Sequence, residues 1–518
     1  MIIALVLVIV LGTMAGAMAF GRRTGRGASP GETGTQAGAK LVDWAVGGRR
    51  FGTVLFWFLN AGEVYTTFAV LGIAGYAYAL GAPAYLAFTS VSLSYAIGYW
   101  LMPKIWRAGR AHGLITQPDF FAARFGAGWL GVVTGLVGIA ALVVYVQIQL
   151  VSLSLIVQLT MGNAVSAAAA VVIGAVLMVA FVLFAGLRSA AFSAAVKDVL
   201  MIVIVVLLST TVASKVGAAS PLDVFRLAES AHPGIGRFPG LDPSSPTTSV
   251  WLMTSALNVA LGNWVFPHLF QVSYAARSGT AIRRNAIWQP LYSLAYFFII
   301  LLGFAALLAG TKPAEGNSNG ALLQFVADKY PAWVIVLVAG TGFLLALAPG
   351  ATLLLTSGSI FTRNVLGPFA RDLTERGSML ATRLSMVGFA AVAVWLTIGN
   401  SQSLVDILLY AYSAIGMLAP SVFLAFLWRR TSAIGVLAGI VVGFVALLAP
   451  FAKHFWSDHL PEWEPGLLAM AINLVVVVVV SACTPRPPAE AVAVGLVPAA
   501  APPRVLGATG GGGGRGGA

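Results

Sequence analysis

Residues 52–80 read GTVLFWFLNAGEVYTTFAVLGIAGYAYAL and carry one charge, Glu63, near their middle. A run of this length, at about 1.5 Å per helical residue, covers the roughly 30 Å of a bilayer's hydrocarbon core. A carboxylate at that depth is costly and belongs where it meets a cavity or a partner. Small residues stand before it (Ala61, Gly62) and hydroxyls after it (Thr66, Thr67). The pattern predicts a helix interrupted at Asn60–Glu63, where unwound carbonyls and the carboxyl face a water-filled site. The plainer alternative is a structural carboxylate bonded to a neighbouring helix.

The rest of the chain is of the same kind. Of its 518 residues, 59% are hydrophobic and 9% charged, against roughly 25% charged in a soluble domain. The apolar residues fall into about thirteen blocks of roughly 16–30 residues, each able to cross a bilayer as a helix. They cover residues 1–20, 52–80, 84–102, 130–159, 164–184, 192–213, 250–270, 291–309, 332–361, 380–398, 404–428, 434–451 and 467–482. The blocks lack the alternation of a membrane barrel, and many of the 58 glycines lie inside them, as close helix packing requires. The sequence therefore predicts an all-α polytopic membrane protein.

The net charge of +13 does not mark a nucleic-acid surface, because Lys and Arg sit singly or in pairs between the blocks. The lone Cys483 excludes an intrachain disulfide framework and a cysteine metal cluster. In the first block, Arg22, Arg23 and Arg26 follow the apolar run instead of preceding it, which predicts a retained helix with its N-terminus outside rather than a secretory signal. Alternating sides from there leaves six basic residues outside, Lys215, Arg226, Arg237, Lys312, Lys329 and Lys453, and 24 of 30 inside or in the tail. This charge bias predicts a multi-pass protein of the plasma (inner) membrane with a cytoplasmic C-terminus. Residues 21–51 then form a cytoplasmic loop and 214–249 an extracellular one. The Pro-, Ala- and Gly-rich segment 484–518 is expected to be a disordered tail.

Other polar groups inside the blocks are candidates for the same site. Lys197 and Asp198 are adjacent, and neighbours in a helix point to different faces, which predicts different partners for them. Lys197 could serve Glu63 or an anionic solute, or snorkel toward headgroups. Asp406 opens a helix, where exposed amides explain an acid. Asn263 and His268 flank Pro267 in a second predicted break, Gly262–His268. A third interruption is predicted at Ala348-Pro349-Gly350-Ala351-Thr352.

Several stretches, taken in order, resemble the sodium:solute symporter family (solute carrier 5-like). They are residues 69–81 (AVLGIAGYAYALG), 113–126 (GLITQPDFFAARFG), Gly186-Leu-Arg-Ser, Pro267-His268 with Ala275-Ala-Arg-Ser, Ser359-Ile-Phe-Thr-Arg-Asn364 and Phe426-Leu-Trp-Arg-Arg430. The resemblance implies a LeuT-type core of five plus five helices in inverted repeat, residues 52–213 and 250–430. One leading helix and two trailing helices, within 431–483, would wrap it, and core helices one and six would be broken at the solute site. It also implies a departure. The positions at which the family's sodium-coupled members carry two hydroxyls and an acid hold Ala348, Pro349 and Ala194 here, none with a side-chain oxygen for a hard cation. The expected metal site near Glu63, Ala348 and Pro349 is thus degenerate, and coupling to protons is expected ahead of sodium. The Gly-Glu-Val-Tyr-Thr and Val-Lys-Asp segments are similar to bacterial monocarboxylate permeases, which implies a small organic acid as solute.

The function expected is secondary active symport by alternating access. Its site would draw on Asn60, Ala61, Gly62, Glu63, Thr66, Thr67, Lys197, Asp198, Asn263, His268, Ala348 and Thr352. No cofactor beyond a coupling Na+ or H+ is implied. Alternatives are a transporter-like sensor and an ion-independent facilitator. An enzyme is disfavoured because four of the five histidines lie in or beside loops, away from any convergent constellation.

Overall fold

The computed structural model describes residues 2–25, 46–161, 165–184, 187–370, 374–398 and 402–495. Among them there is no strand, only an isolated bridge between Phe51 and Ala276. Six helices are long and apolar enough to cross a membrane: Gly128–Met161, Ser189–Val216, Gly279–Leu308, Ala332–Leu366, Arg376–Thr397 and Pro465–Cys483. Three sharply bent pairs raise the number to nine if each is one span. They are Thr53–Val64 with Phe68–Leu80 (51°), Leu404–Gly416 with Ala419–Leu427 (42°), and Ala433–Leu448 with Pro450–His459 (64°). The other predicted blocks also lie on helices: Ala4–Phe20, Ala167–Leu183, Leu86–His112, and Ser249–Asn263 followed by Pro267–Ala275.

The predicted interruptions divide. The first break falls later than expected. The helix runs intact through Asn60–Glu63 to Val64 and opens at Tyr65, whose φ and ψ are −95° and 85°. The second is where it was predicted, with Trp264–Phe266 outside the helices on either side. The third does not occur, since Ala332–Ile360 is continuous through Pro349 and turns π-helical only at Phe361–Leu366. Proline removes the amide donor to the Leu345 carbonyl, yet the helix continues in a segment buried among its neighbours. A further bend at Met417–Leu418 lies between Gly416 and Pro420, which end one helix and open the next. Its freed Met417 carbonyl accepts from Asn473 Nδ2 at 2.7 Å.

One other expectation is revised in part. Residues 489–495 of the expected disordered tail form a helix on Gln117–Phe125. There the buried Arg124 donates to Ala425 O and Trp428 O at 2.9 and 3.2 Å. The remainder of the tail, 496–518, and residues 26–45 of the predicted cytoplasmic loop lie outside the described residues. The loop 214–249 holds a helix, Asp223–Ala231, packed on Leu294–Leu308.

The leading helix packs on Leu187–Val216 and Ala332–Ile360, and the two trailing helices pack chiefly on each other. Glycine permits the closest crossings. A Cβ on Gly303 would strike the Ala74 carbonyl and come 2.7 Å from Ala77 Cβ, so Leu294–Leu308 rides directly on Ile73–Leu80. Gly303→Val is expected to overpack this crossing and cost about 1–3 kcal/mol. The check is a lower thermal midpoint of the detergent-purified protein, with Gly12→Val, which meets nothing within 4 Å, as the unchanged comparison.

Candidate solute and ion site

A helix opened inside a bundle leaves carbonyls without amide donors, and each must be satisfied locally. At the first break the Tyr65 carbonyl accepts from Lys197 Nζ at 3.0 Å. The same ammonium pairs with Asp198 Oδ1 at 2.8 Å, and both side chains are buried, at 1% and 0% exposure. The prediction that Lys197 and Asp198 address different partners is therefore corrected: four methylenes let the lysine curl back to its own neighbour. The same burial excludes snorkelling. A Cβ on Gly62 would lie 2.8 Å from Ala194 Cβ and 3.3 Å from Lys197 Nζ. Glycine is thus what lets the first broken helix close onto Leu187–Val216 with an ammonium between them.

Glu63 stands beside this pair, 4% exposed. Its Oε2 has no hydrogen-bond partner among the described residues. Thr352 lies against its carboxyl, and Lys197 and Asp198 are the charges nearest to it. The Thr352 hydroxyl also lies 3.2 Å from the Ala348 carbonyl, to which it can donate. Ala348 and Thr352 occupy one face of Ala332–Ile360, one turn apart. The structure therefore gathers Gly62, Glu63, Ala194, Lys197, Asp198, Ala348 and Thr352 in one place.

Three other predicted residues are engaged nearby. Asn60 Nδ2 donates to Gln289 Oε1 at 2.7 Å, and Gln289 Nε2 to Trp57 O at 3.2 Å. Thr67 donates to Gln149 Oε1 at 3.0 Å, and the Ala61 carbonyl accepts from Tyr65 N at 2.8 Å. Asp406 is held by Ser403 at its helix N-terminus, Oδ2 at 2.6 Å, as the plainer reading of it expects.

At the second break, Asn263 Oδ1 accepts from the Tyr412 hydroxyl at 2.7 Å. His268 is 1% exposed. Its ring lies 5.8 Å from that of Tyr145 and 5.4 Å from that of Phe266, and neither ring nitrogen has a partner among the described residues. Thr66 and Glu63 both lie near Tyr145, so this ring joins the two breaks. Tyr65 and Tyr296 (5.3 Å) and Tyr95 and Trp264 (5.6 Å) close the space between them. These tyrosines escaped the sequence reading because a tyrosine inside an apolar block counts as apolar. The available signal was the hydroxyl, which needs a partner at that depth.

At one end of the bundle both breaks are tied down. Phe51 N donates to Ala275 O (3.2 Å) and Arg277 N to Phe51 O (2.9 Å), joining the start of the first broken helix to the end of the second. Trp106 Nε1 donates to Ala276 O at 2.9 Å, and Gln117 Nε2 donates to Val265 O inside the second break. Asp119, which caps the helix begun by Gln117, takes Arg363 Nε on both oxygens at 3.0 and 2.9 Å and Asn364 Nδ2 at 2.8 Å.

Two broken helices packed on each other with buried polar side chains at their breaks, inside a bundle of membrane helices, define a secondary transporter of the LeuT type. The profile of the sodium:solute symporter family matches residues 44–443. The chain is 31% identical over 494 residues to an uncharacterized symporter, YhjB, of Bacillus subtilis, covering 92% of this chain and 97% of that one. It is 27% identical over 460 residues (86% and 91%) to a monocarboxylate transport permease protein of Rhizobium johnstonii. To the high-affinity proline transporter PutP of Bacillus subtilis it is 23% identical over 465 residues (84% and 92%). Among solved structures, a Na+-coupled sialic acid symporter in a substrate-bound outward-open state superposes with a TM-score of 0.73 at 15% identity, covering 93% of this chain and 98% of that one. Mhp1, a nucleobase-cation-symport-1 family transporter in a closed conformation, does so at 0.56 and 15% identity, covering 86% and 96%. The chain belongs to the sodium:solute symporter family. It is a multi-pass membrane symporter of a small solute and not an enzyme.

Removing one member of a buried ion pair strands the other charge, at a cost of about 3–5 kcal/mol. Lys197→Met is expected to lower the thermal midpoint strongly, since it also leaves the Tyr65 carbonyl without its donor. The double variant Lys197→Met/Asp198→Leu is expected to recover a large part of that loss. A double variant no more stable than Lys197→Met would show that the lysine acts through Tyr65 alone.

Proposed function

We propose that this symporter carries a small monocarboxylate together with a proton, in the plasma membrane with its N-terminus outside and its C-terminus cytoplasmic. Glu63 takes the proton, and Lys197 serves as a tethered cation where a mobile one would otherwise bind. One observation carries the reading: the Lys197 ammonium occupies the contact between Gly62, the Tyr65 carbonyl and Ala194. A hard cation seeks several oxygen ligands, and Ala194, Ala348 and Pro349 offer no side-chain oxygen. Glu63 Oε2 and Asp198 Oδ2 are both without a partner among the described residues, but Asp198 is tied to Lys197 at 2.8 Å, so Glu63 is the acid of the two that is open to take a proton. The likeness to a monocarboxylate permease supports the solute class.

Charge balance supports the coupling. The Lys197–Asp198 pair is neutral as a unit, so an anionic solute and an ionised Glu63 would be two uncompensated anions in a low-dielectric cleft. A proton entering with the solute removes that conflict. The remaining contacts of the site come from Thr66, Asn263 and His268, while Asn60 and Thr67 hold the first broken helix in register through Gln289 and Gln149.

The test is uptake of labelled pyruvate, lactate and acetate into proteoliposomes under imposed gradients. A pH gradient, acid on the side of uptake, is expected to drive accumulation, and a sodium gradient is not. Glu63→Gln is expected to abolish gradient-driven accumulation while keeping exchange of labelled for unlabelled solute. Accumulation driven by sodium and indifferent to pH would sink the proposal.

A further inference from the structure

The proposed solute is an anion, yet each buried cation among the described residues is already bound. Lys197 is held by Tyr65 O and Asp198 Oδ1, and Arg124 by two carbonyls at the Ala425–Trp428 end. The carboxylate must then be met by neutral donors. Those without partners among the described residues stand at both breaks, with the Tyr65, Thr66, Tyr95 and Tyr296 hydroxyls and Gln149 Nε2 around the first, but at the second they are nitrogen donors set beside the start of a half-helix. Asn263 Nδ2 and both ring nitrogens of His268 are unpaired among the described residues, and the two side chains are 3% and 1% exposed. They flank the start of Pro267–Ala275, where Pro267 has no amide hydrogen and Leu269 N and Phe270 N both donate to Phe266 O at 3.0 Å, so the His268 amide is the first-turn donor left over. A neutral imidazole offers one N–H and an amide two, whereas a carboxylate only accepts.

Tyr412 explains how the amide is aimed. Its hydroxyl donates to Asn263 Oδ1 at 2.7 Å, which turns the Nδ2 donor away from Tyr412. Its ring meets Phe266 edge-on at 5.1 Å. Tyr145 and Phe266 face His268 and provide the apolar wall that a short aliphatic acid needs. Resting on the monocarboxylate reading above, we infer that the solute carboxylate docks on Asn263 Nδ2 and on the ring N–H and backbone amide of His268, with Tyr412 as the positioning residue that orients Asn263. The charged and titratable groups around this place are Glu63 and Asp198, Lys197, Tyr145 and Tyr412. The site therefore selects a monoanion through hydrogen bonding instead of an ion pair, and a neutral amide of the same shape loses by replacing an acceptor with a donor.

The experiment is binding to the detergent-purified full chain, read as solute-induced thermal stabilisation, with pyruvate, lactate and acetate and their neutral amides pyruvamide, lactamide and acetamide. The wild type is expected to prefer acid to amide. Asn263→Ala and His268→Leu are each expected to weaken acid binding about tenfold or more, the worth of a hydrogen bond to a charged group, and to reduce the acid-over-amide preference. Tyr412→Phe is expected to do so by about threefold, and Tyr412→Phe/Asn263→Ala to be no worse than Asn263→Ala alone. Tyr330→Phe, remote from the cleft, serves as the unchanged comparison. Acid affinity within twofold of wild type in both Asn263→Ala and His268→Leu overturns the docking site and leaves the monocarboxylate reading standing. A wild type that binds none of the three acids overturns both.

Discussion

A carbonyl set free in the middle of an apolar bundle must find a donor, and at Tyr65 that donor is the Lys197 ammonium. The arrangement around the first break follows from this contact. Gly62 has to lack a side chain, because a Cβ there would crowd Ala194 and the ammonium. Asp198 has to be present, because an ammonium in that surrounding needs a counter-charge. Glu63 is thereby left beside a pair that is already neutral. A fixed pair that spans the break gives the bend a firm seat, which a transporter needs if one half of a helix is to move against the other.

The second break is organised by hydrogen bonding and aromatic packing. Tyr412 orders Asn263, Gln117 holds the Val265 carbonyl, and His268 is packed between aromatic rings. Through Gln117 the helix Gln117–Phe125 touches the break directly, and through Asp119 it is bound to Arg363 and Asn364 at the π-helical end of Ala332–Leu366. Opening that end of the bundle would require these contacts to part together with the Phe51 bridge to Ala275 and Arg277. The second break, the capping helix and the strand-like contact thus form one mechanical unit, the sort of two-position element on which alternating access depends.

Much of this was legible one residue at a time. The length of the apolar runs specifies membrane helices whatever their neighbours, because a bilayer's thickness is a one-dimensional constraint. Pro267 with flanking polar residues marks the second break because proline acts on its own backbone. Glu63 and Lys197 announce themselves through the cost of charge at depth. The same local logic failed at Ala348–Thr352, where a buried helix continues through its internal proline. It also placed the first break too early, because which carbonyl opens was decided by where Lys197 reaches.

The sequence by itself determined the apolar blocks, the second break and the acid near the first, since each depends on residue type and spacing, while the class of protein and the facing of the two breaks were implied by its family resemblance. Only the tertiary structure decided the partners. That Lys197 curls onto Asp198 and the Tyr65 carbonyl, that Tyr412 turns the Asn263 amide, and that Tyr65, Tyr95, Tyr145 and Tyr296 enclose the cleft depends on side chains brought together from helices far apart in the chain. A hydrogen bond is a property of the distance and angle between two groups, and only the folded chain sets both.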